Sequence, residues 1–472
     1  RKEGIEGLVL LKHGLFTFAD DARTSYEKHI ELVTVAEEYL KGQGSSGQGG
    51  SSGRGVEGEE LLKLAALRRE VSLKRGFPQI ARLNAGAVAA AYSKMGDAAV
   101  RGPLTPDHSI RTKRVPAVIG EEIAADVQRY ADEYAAYFQR NAKGETMLDP
   151  APRFALWKGR GVVSFGDSVK DANVVADIAA ATAATISQAG DGWEPLPEKD
   201  IFEIEYWELE QAKLKKGPAR KVHQGKVALV TGCAAGIGFA IAESLAEQGA
   251  QVVGLDIDKD IPEIMKKIGA VGIVVNLTED QPVQDAIEFT VREFGGIDIV
   301  VSNAGIFPKN DPLDTMVQTD WDRTLMINLT SHQKLMNKVI PFVKQGLDGS
   351  IIFVGSRNFK APGPGASAYS CSKAALTQLC RVAALELAPW KVRVNIVHPD
   401  AVFDTKLWTP EALAKSAARY NMTVEEYKTK NLMKVEIKSK DIGNMVAAMA
   451  GPLFLKVTGA QIPVDGGNDR VI

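Results

Sequence analysis

Cysteine is nearly absent from this sequence: only Cys233, Cys371 and Cys380 occur in 472 residues. Their spacing suits neither a metal knuckle nor a disulfide framework. A reducing compartment such as the cytoplasm is therefore expected, with all three thiols as packing residues. No apolar run reaches the roughly 18–20 residues of a membrane span, so no membrane partner is expected. An excess of one charge is missing too. Lys and Arg number 57 against 59 Asp and Glu, a net charge of -2, which leaves no basic footprint for a nucleic acid. The chain opens on Arg1 without a signal-peptide pattern, and residues 4–11 read at once as a buried strand. A core strand is an unusual beginning, so the N-terminus is expected to be processed, cut or incomplete.

Apolar residues make up 45% of the chain, enough for two or three domains with full cores. Ile30, Val33, Ala36 and Leu40 recur at helical spacing and predict a helix over 20–40. Residues 43–55 are almost entirely Gly, Ser and Gln, a linker with nothing to bury. Helical patterns resume over 57–75, 80–94 and 121–141. Residues 153–166 read as two strands around Gly159-Arg160-Gly161. The apolar Val162-Val163-Ser164-Phe165 follows where a dinucleotide loop would open a helix, so this is a hairpin turn. A helix over 168–188 and a charged helix over 200–216 lead to a boundary at Gly217-Pro218. The expected organisation is thus 1–42, the linker 43–55, a helical and α/β region over 56–220, and a final domain over 221–472.

In that last domain strand and helix alternate. Strands are expected at 227–231, 251–256, 272–276, 297–302, 350–355, 393–397 and 461–464. The pattern implies an α/β fold with a Rossmann-like, doubly wound parallel sheet. Thr231-Gly232-Cys233-Ala234-Ala235-Gly236-Ile237-Gly238 leaves the first strand and enters a helix. Glycines there let the backbone close on a pyrophosphate, and the helix N-terminus offers amide donors. Asp256 ends the next strand, where a carboxylate accepts ribose hydroxyls and repels a 2′-phosphate. With no Arg or Lys inside the loop, NAD is expected in preference to NADP.

Tyr369-Ser370-Cys371-Ser372-Lys373 places a phenol and an ammonium four residues apart on one helix face. The ammonium is expected to lower the tyrosine pKa, making Tyr369 the proton acceptor. Ser356 precedes it at a strand end, Asn328 lies inside a helix expected over 321–339, and Asn303-Ala304-Gly305 closes the fourth strand. Together these motifs resemble the short-chain dehydrogenase/reductase family over residues 226–472. The resemblance implies that Ser356 orients a small-molecule substrate and Asn328 holds a water that links Lys373 to solvent. It also implies that Thr231, Gly232, Gly236, Ile237, Gly238, Asp256, Asn276, Leu277, Asn303, Ala304, Gly305, Tyr369, Lys373, Pro399 and Val402 surround the cofactor, in a homo-oligomer. Asn276 stands where the family usually has an acidic residue. Pro399-Asp400 replaces its usual Pro-Gly, and Thr405 comes one residue late. His398 and Trp408 flank the expected substrate loop, as pocket, lid or packing residues.

In the front half, Leu10-Leu11-Lys12-His13-Gly14-Leu15-Phe16 resembles the end of class II (zinc) aldolases, and the resemblance makes His13 a metal ligand. Thr105-Pro106-Asp107-His108, Arg111-Thr112-Lys113-Arg114 and Tyr206-Trp207 extend the likeness to bifunctional proteins joining a rhamnulose-1-phosphate-type aldolase to a short-chain dehydrogenase. Zinc is expected only with a complete aldolase portion, whose other ligands would lie upstream of Arg1. The implied function is oxidation or reduction of a small aldehyde or hydroxy compound, lactaldehyde above all. The competing reading is an assembly component that keeps the fold for binding alone.

Overall fold

A computed structural model describes residues 5–42, 56–189, 192–214 and 219–468. The Gly/Ser linker and the Gly217-Pro218 boundary lie outside the described residues. Two compact units are formed: Arg1–Val56 with Glu70–Ala219, and Glu57–Arg69 with Arg220–Ile472.

The first unit begins with an antiparallel pair, β1 (Gly7–Leu10) and β2 (Gly14–Thr17), then the helix Ala22–Gly42. The opening strand was expected to be buried, yet Leu8, Val9, Leu10 and Leu11 are exposed. Among the described residues β2 is its only strand partner. A second sheet runs β3-β6-β5-β4, from β3 (Ile80–Asn84), β4 (Ala117–Ile119), β5 (Phe154–Trp157) and β6 (Gly161–Gly166). The helix expected over 80–94 is therefore a strand followed by the short helix Ala87–Tyr92. Pairing with β6 overrides the helical spacing, and the Asn84 carboxamide accepts from Gly86 N at 2.9 Å where the chain turns. The turn Gly159-Arg160-Gly161 joins antiparallel β5 and β6, with Gly159 at φ 78°. The charged segment over 200–216 breaks into the helices Glu198–Glu205 and Glu208–Leu214. At the break Tyr206 bonds the Tyr134 hydroxyl at 2.8 Å, and Tyr134 donates to the buried Glu205 at 2.8 Å.

The second unit is built on β7 (Val227–Thr231), β8 (Gln251–Asp256), β9 (Val271–Val274), β10 (Ile299–Ser302), β11 (Ser350–Val354), β12 (Arg393–Pro399) and β13 (Gln461–Val464). All pairs are parallel, in the order β13-β12-β11-β10-β7-β8-β9. Central strands such as Val227-Ala228-Leu229-Val230 are apolar because helices cover both faces. The helices Gly236–Glu247 and Ser439–Ala450 approach so closely that a Cβ on Gly443 would stand 2.4 Å from Ala240 O. Strand order reverses between β7 and β10, which opens a crevice beyond their C-terminal ends.

Residues 57–69 contribute to this unit an ion pair that periodicity does not reveal. Arg68 and Asp298 are 1% and 0% exposed, and the guanidinium meets both carboxylate oxygens at 3.1 and 2.6 Å. Asp298 also accepts from Val227 N and Leu347 N, at 2.7 and 2.8 Å, so the charge is both paired and hydrogen-bonded. Cys233 and Cys380 are buried, and burial pushes each thiol up to about 12. Cys371 is exposed, contrary to its expected packing role.

Candidate active site

The crevice beyond β7 and β10 is lined by three loops. The first carries Gly232 at φ 66° and Gly236 at φ 56°, both favouring glycine. A Cβ on Gly238 would stand 2.0 Å from Gly232 O, and one on Gly232 would stand 2.7 Å from Ala304 Cα. The loop is thus a backbone cradle that side chains would fill, opening onto the N-terminus of the helix Gly236–Glu247. Thr231 fixes the cradle to the second loop: its hydroxyl accepts from Asn303 N and Ala304 N, at 2.9 and 3.1 Å. The Asn303 amide returns bonds to Thr231 O and Gly232 O, at 2.9 and 3.0 Å. Ile237 is half-buried in the first turn of the helix.

Asp256 ends β8 beside the cradle, accepting from Ala234 N at 2.9 Å and Asp258 N at 3.0 Å. Those bonds orient the carboxylate and leave further lone pairs for hydroxyl donors. Asn276 is occupied by its own turn: its oxygen accepts from Thr278, and its amide donates to Glu279 at 2.7 Å. Leu277 is half-buried beside it. Across the crevice Pro399 and Val402 are buried, and Thr405 donates to Val402 O at 2.9 Å. Its methyl lies 3.3 Å from where a Gly236 Cβ would be, so this segment and the glycine loop face each other.

The helix expected over 321–339 is interrupted. Gln318–Leu325 passes into a π-helical turn, Met326–Thr330, before Ser331–Val343 continues. Such turns re-aim a side chain, here that of Asn328, which is fully buried. Asn328 exchanges bonds with Ile306 N and O, at 2.8 and 2.9 Å, and donates to Ser372 at 3.2 Å. A Cβ on Gly305 would lie 3.3 Å from Asn328 Oδ1 and 3.6 Å from Lys373 Nζ, which puts all three around one point. Lys373 donates to Val354 O at 2.9 Å, and its Nζ is 5.8 Å from the centre of the Tyr369 ring. Burial lowers the lysine to about 8.

The structure corrects the expected tyrosine titration. Burial pushes the Tyr369 phenol up, opposed by a hydrogen bond with Ser356, and the Asp400 carboxylate adds to the rise. The Lys373 ammonium does not outweigh these effects. A protonated phenol is poised to deliver a proton to an alkoxide. In the oxidative direction it becomes an acceptor only as it ionises. Ser356 is itself held in place, since its backbone N–H donates to His398 Nδ1 at 3.2 Å and its hydroxyl accepts from Asn358 N at 3.2 Å. The His398 ring proton is thereby assigned to Nε2. His398 stacks on Phe359 at 4.0 Å.

Sequence reasoning did not find His332, whose Nε2 donates to Ala304 O at 2.9 Å while Nδ1 accepts from the Ser302 hydroxyl at 2.6 Å. It holds the end of β10 from behind. Its signal was weak, a lone polar residue among Leu335, Met336 and Val339 on a helix face. In the first unit, His13 lies 3.7 Å from Asp107 and stacks on Phe16 at 5.9 Å. Among the described residues no group of three His, Cys, Asp or Glu side chains is placed to hold a metal.

Residues 232–469 match the family model described as enoyl-(acyl carrier protein) reductase. The chain belongs to the short-chain dehydrogenase/reductase family. As a member it is an oxidoreductase, and residues 59–214 match the model for the second domain of class II aldolases. The oxidoreductase YuxG of Bacillus subtilis (strain 168) is 31% identical over 504 residues, covering 98% of this chain and 72% of that protein. An NAD-dependent oxidoreductase of Mycobacterium tuberculosis (strain CDC 1551 / Oshkosh) is 31% identical over 264 residues, covering 52% of this chain and 95% of its own. Among solved structures, a dehydrogenase/reductase from Sinorhizobium meliloti 1021 is similar at 32% identity and a TM-score of 0.47, covering 53% of this chain and 97% of that one. No helix among the described residues is long and apolar enough to cross a membrane.

Proposed function

We propose that this short-chain dehydrogenase/reductase uses NAD to oxidise a small aldehyde or hydroxy compound, or to carry out the reverse reduction, with Tyr369, Lys373, Ser356 and Asn328 as its catalytic set. The observation that carries the reading is the assembly of these four side chains next to the glycine cradle and Asp256. The dinucleotide fits the cradle because glycines keep the loop free of side chains of its own at Gly232, Gly236 and Gly238, and Asp256 would hold the adenosine ribose hydroxyls and repel a 2′-phosphate. The mycobacterial relative's NAD dependence supports the same choice.

Bound NAD supplies a hydride acceptor. The chain's own residues do the rest. Ser356 holds the substrate oxygen, Tyr369 takes its proton, and Lys373 with Asn328 provides a route for that proton away from the site. The preferred substrate is lactaldehyde, as its hydrate, within deoxysugar breakdown. An aldolase of the rhamnulose-1-phosphate type releases lactaldehyde, and an attached dehydrogenase consumes it. The catalytic form is proposed to be a homo-oligomer in a reducing, cytoplasmic compartment. The intact catalytic set speaks against a purely structural role.

A panel of lactaldehyde, short hydroxy acids and polyols, each with NAD and with NADP, tests this by NADH or NADPH absorbance. Lactaldehyde should turn over best and with NAD preferred, and Asp256→Ala should narrow the cofactor preference. Turnover confined to a steroid or a sugar alcohol would refute the substrate, and equal efficiency with NADP would refute the role of Asp256.

A further inference from the structure

The residue after Ser356 and the residue after Pro399 form a charged pair at the edge of the site. Arg357 Nη1 donates to Asp400 Oδ2 at 3.2 Å, and the Asn468 amide donates to the same oxygen. The two side chains are 28% and 18% exposed, so the pair borders the crevice without being sealed in. Arg357 directly follows Ser356 in the chain, and Asp400 acts electrostatically on Tyr369, so the pair neighbours the candidate catalytic residues.

Among the described residues Nη1 is the one guanidinium nitrogen of Arg357 with an acceptor, and Nε is a buried donor with none. Nε and Nη2 form the side-on edge of the guanidinium, the fork that matches the two oxygens of a carboxylate. Asp400 on Nη1 fixes the plane of that fork while leaving the edge unpaired. A pair serving only to anchor the Asp400 segment would have no need to leave a buried N–H unmet. The surroundings favour an anion. Lys430 sits 4.5 Å over the Tyr427 ring, and its charge interacts with both Arg357 and Asp400. Two cations face one carboxylate, and one positive charge is left over.

We propose that the Nε–Nη2 edge of Arg357 is a carboxylate subsite of the dehydrogenase. The inference rests on the dehydrogenase reading above and adds a class of ligand to it. A small carboxylate reaches this subsite in one of two ways. It is the product, when a lactaldehyde hydrate gives lactate: CH3CH(OH)CH(OH)2 and NAD+ give CH3CH(OH)COO−, NADH and two protons. Otherwise it is a substituent of the substrate, when a hydroxy acid is oxidised beside it: lactate and NAD+ give pyruvate, NADH and one proton.

Calorimetric titration of the NAD-loaded full chain with lactate and with its neutral isostere lactamide tests the subsite. Lactate should bind the unaltered protein at least about 10-fold more tightly, the gain expected from a charge-assisted fork. Arg357→Gln should bring the ratio close to one. Arg357→Lys, which keeps the charge but not the fork, should give an intermediate ratio. Retained NAD affinity shows that the variants are folded. NADH formation from lactaldehyde would identify the carboxylate as product, and NADH formation from lactate would identify it as substituent. Equal binding of lactate and lactamide, or a preference that survives in Arg357→Gln, would overturn the subsite. Failure of the unaltered chain to bind NAD would instead overturn the dehydrogenase reading.

Discussion

Three histidines of the dehydrogenase unit are kept neutral by their surroundings, and the acid stability of the fold depends on them. Burial lowers His223 and His398 to about 4 and His332 to about 3, with nearby cations adding to the effect. In the unfolded chain each returns to about 6.5. Between those values the unfolded state binds protons that the folded state refuses, so stability is full above about pH 6.5 and is lost as pH falls towards 4. Each histidine contributes a slope of about 1.4 kcal/mol per pH unit in that window. Urea unfolding at several pH values should therefore show a shallower acid loss in His398→Asn than in the unaltered chain. Parallel pH profiles would contradict this. The same burial governs Tyr369. Its raised pKa keeps the phenol protonated at neutral pH, so the oxidative rate should increase on the alkaline side.

At the scale of elements, residues 59–69 of the helix Glu59–Arg75 belong to the dehydrogenase unit, where Arg68 anchors them. Removing the guanidinium would leave Asp298 charged and buried beneath the start of β7. Loss of one partner from such a pair typically costs about 3–5 kcal/mol. Arg68→Met should lower unfolding stability by that order without altering the catalytic residues, and an unchanged denaturation midpoint would refute it. This pair also marks the limit of what sequence alone reveals. The central strands of the parallel sheet were legible because they are buried on both faces and stand out as short apolar runs. The glycine loop and Tyr369-Ser370-Cys371-Ser372-Lys373 were legible because local geometry demands those residues at that spacing. Arg68 and Asp298 are 230 positions apart, and no local pattern joins them. β3 was hidden because Ile80-Ala81-Arg82-Leu83 suits a helix until β6 pairs with it. The π turn at Asn328 changes which side chain faces the crevice without leaving any mark on the hydrophobic pattern.

Over the whole chain, residues 59–214, matching the second domain of class II aldolases, precede the short-chain dehydrogenase match over residues 232–469. The glycine cradle, Asp256, Ser356, Tyr369 and Lys373, to which the proposal assigns cofactor binding and proton transfer, all belong to the second unit. In the proposed reaction Tyr369 transfers the proton. The most direct test is the rate of NADH formation from NAD and lactaldehyde in Tyr369→Phe, with NAD affinity measured on the same material. The rate should fall about 100- to 10,000-fold with NAD binding essentially unchanged, because only the acid–base group is lost. A variant that keeps most of its rate would contradict it.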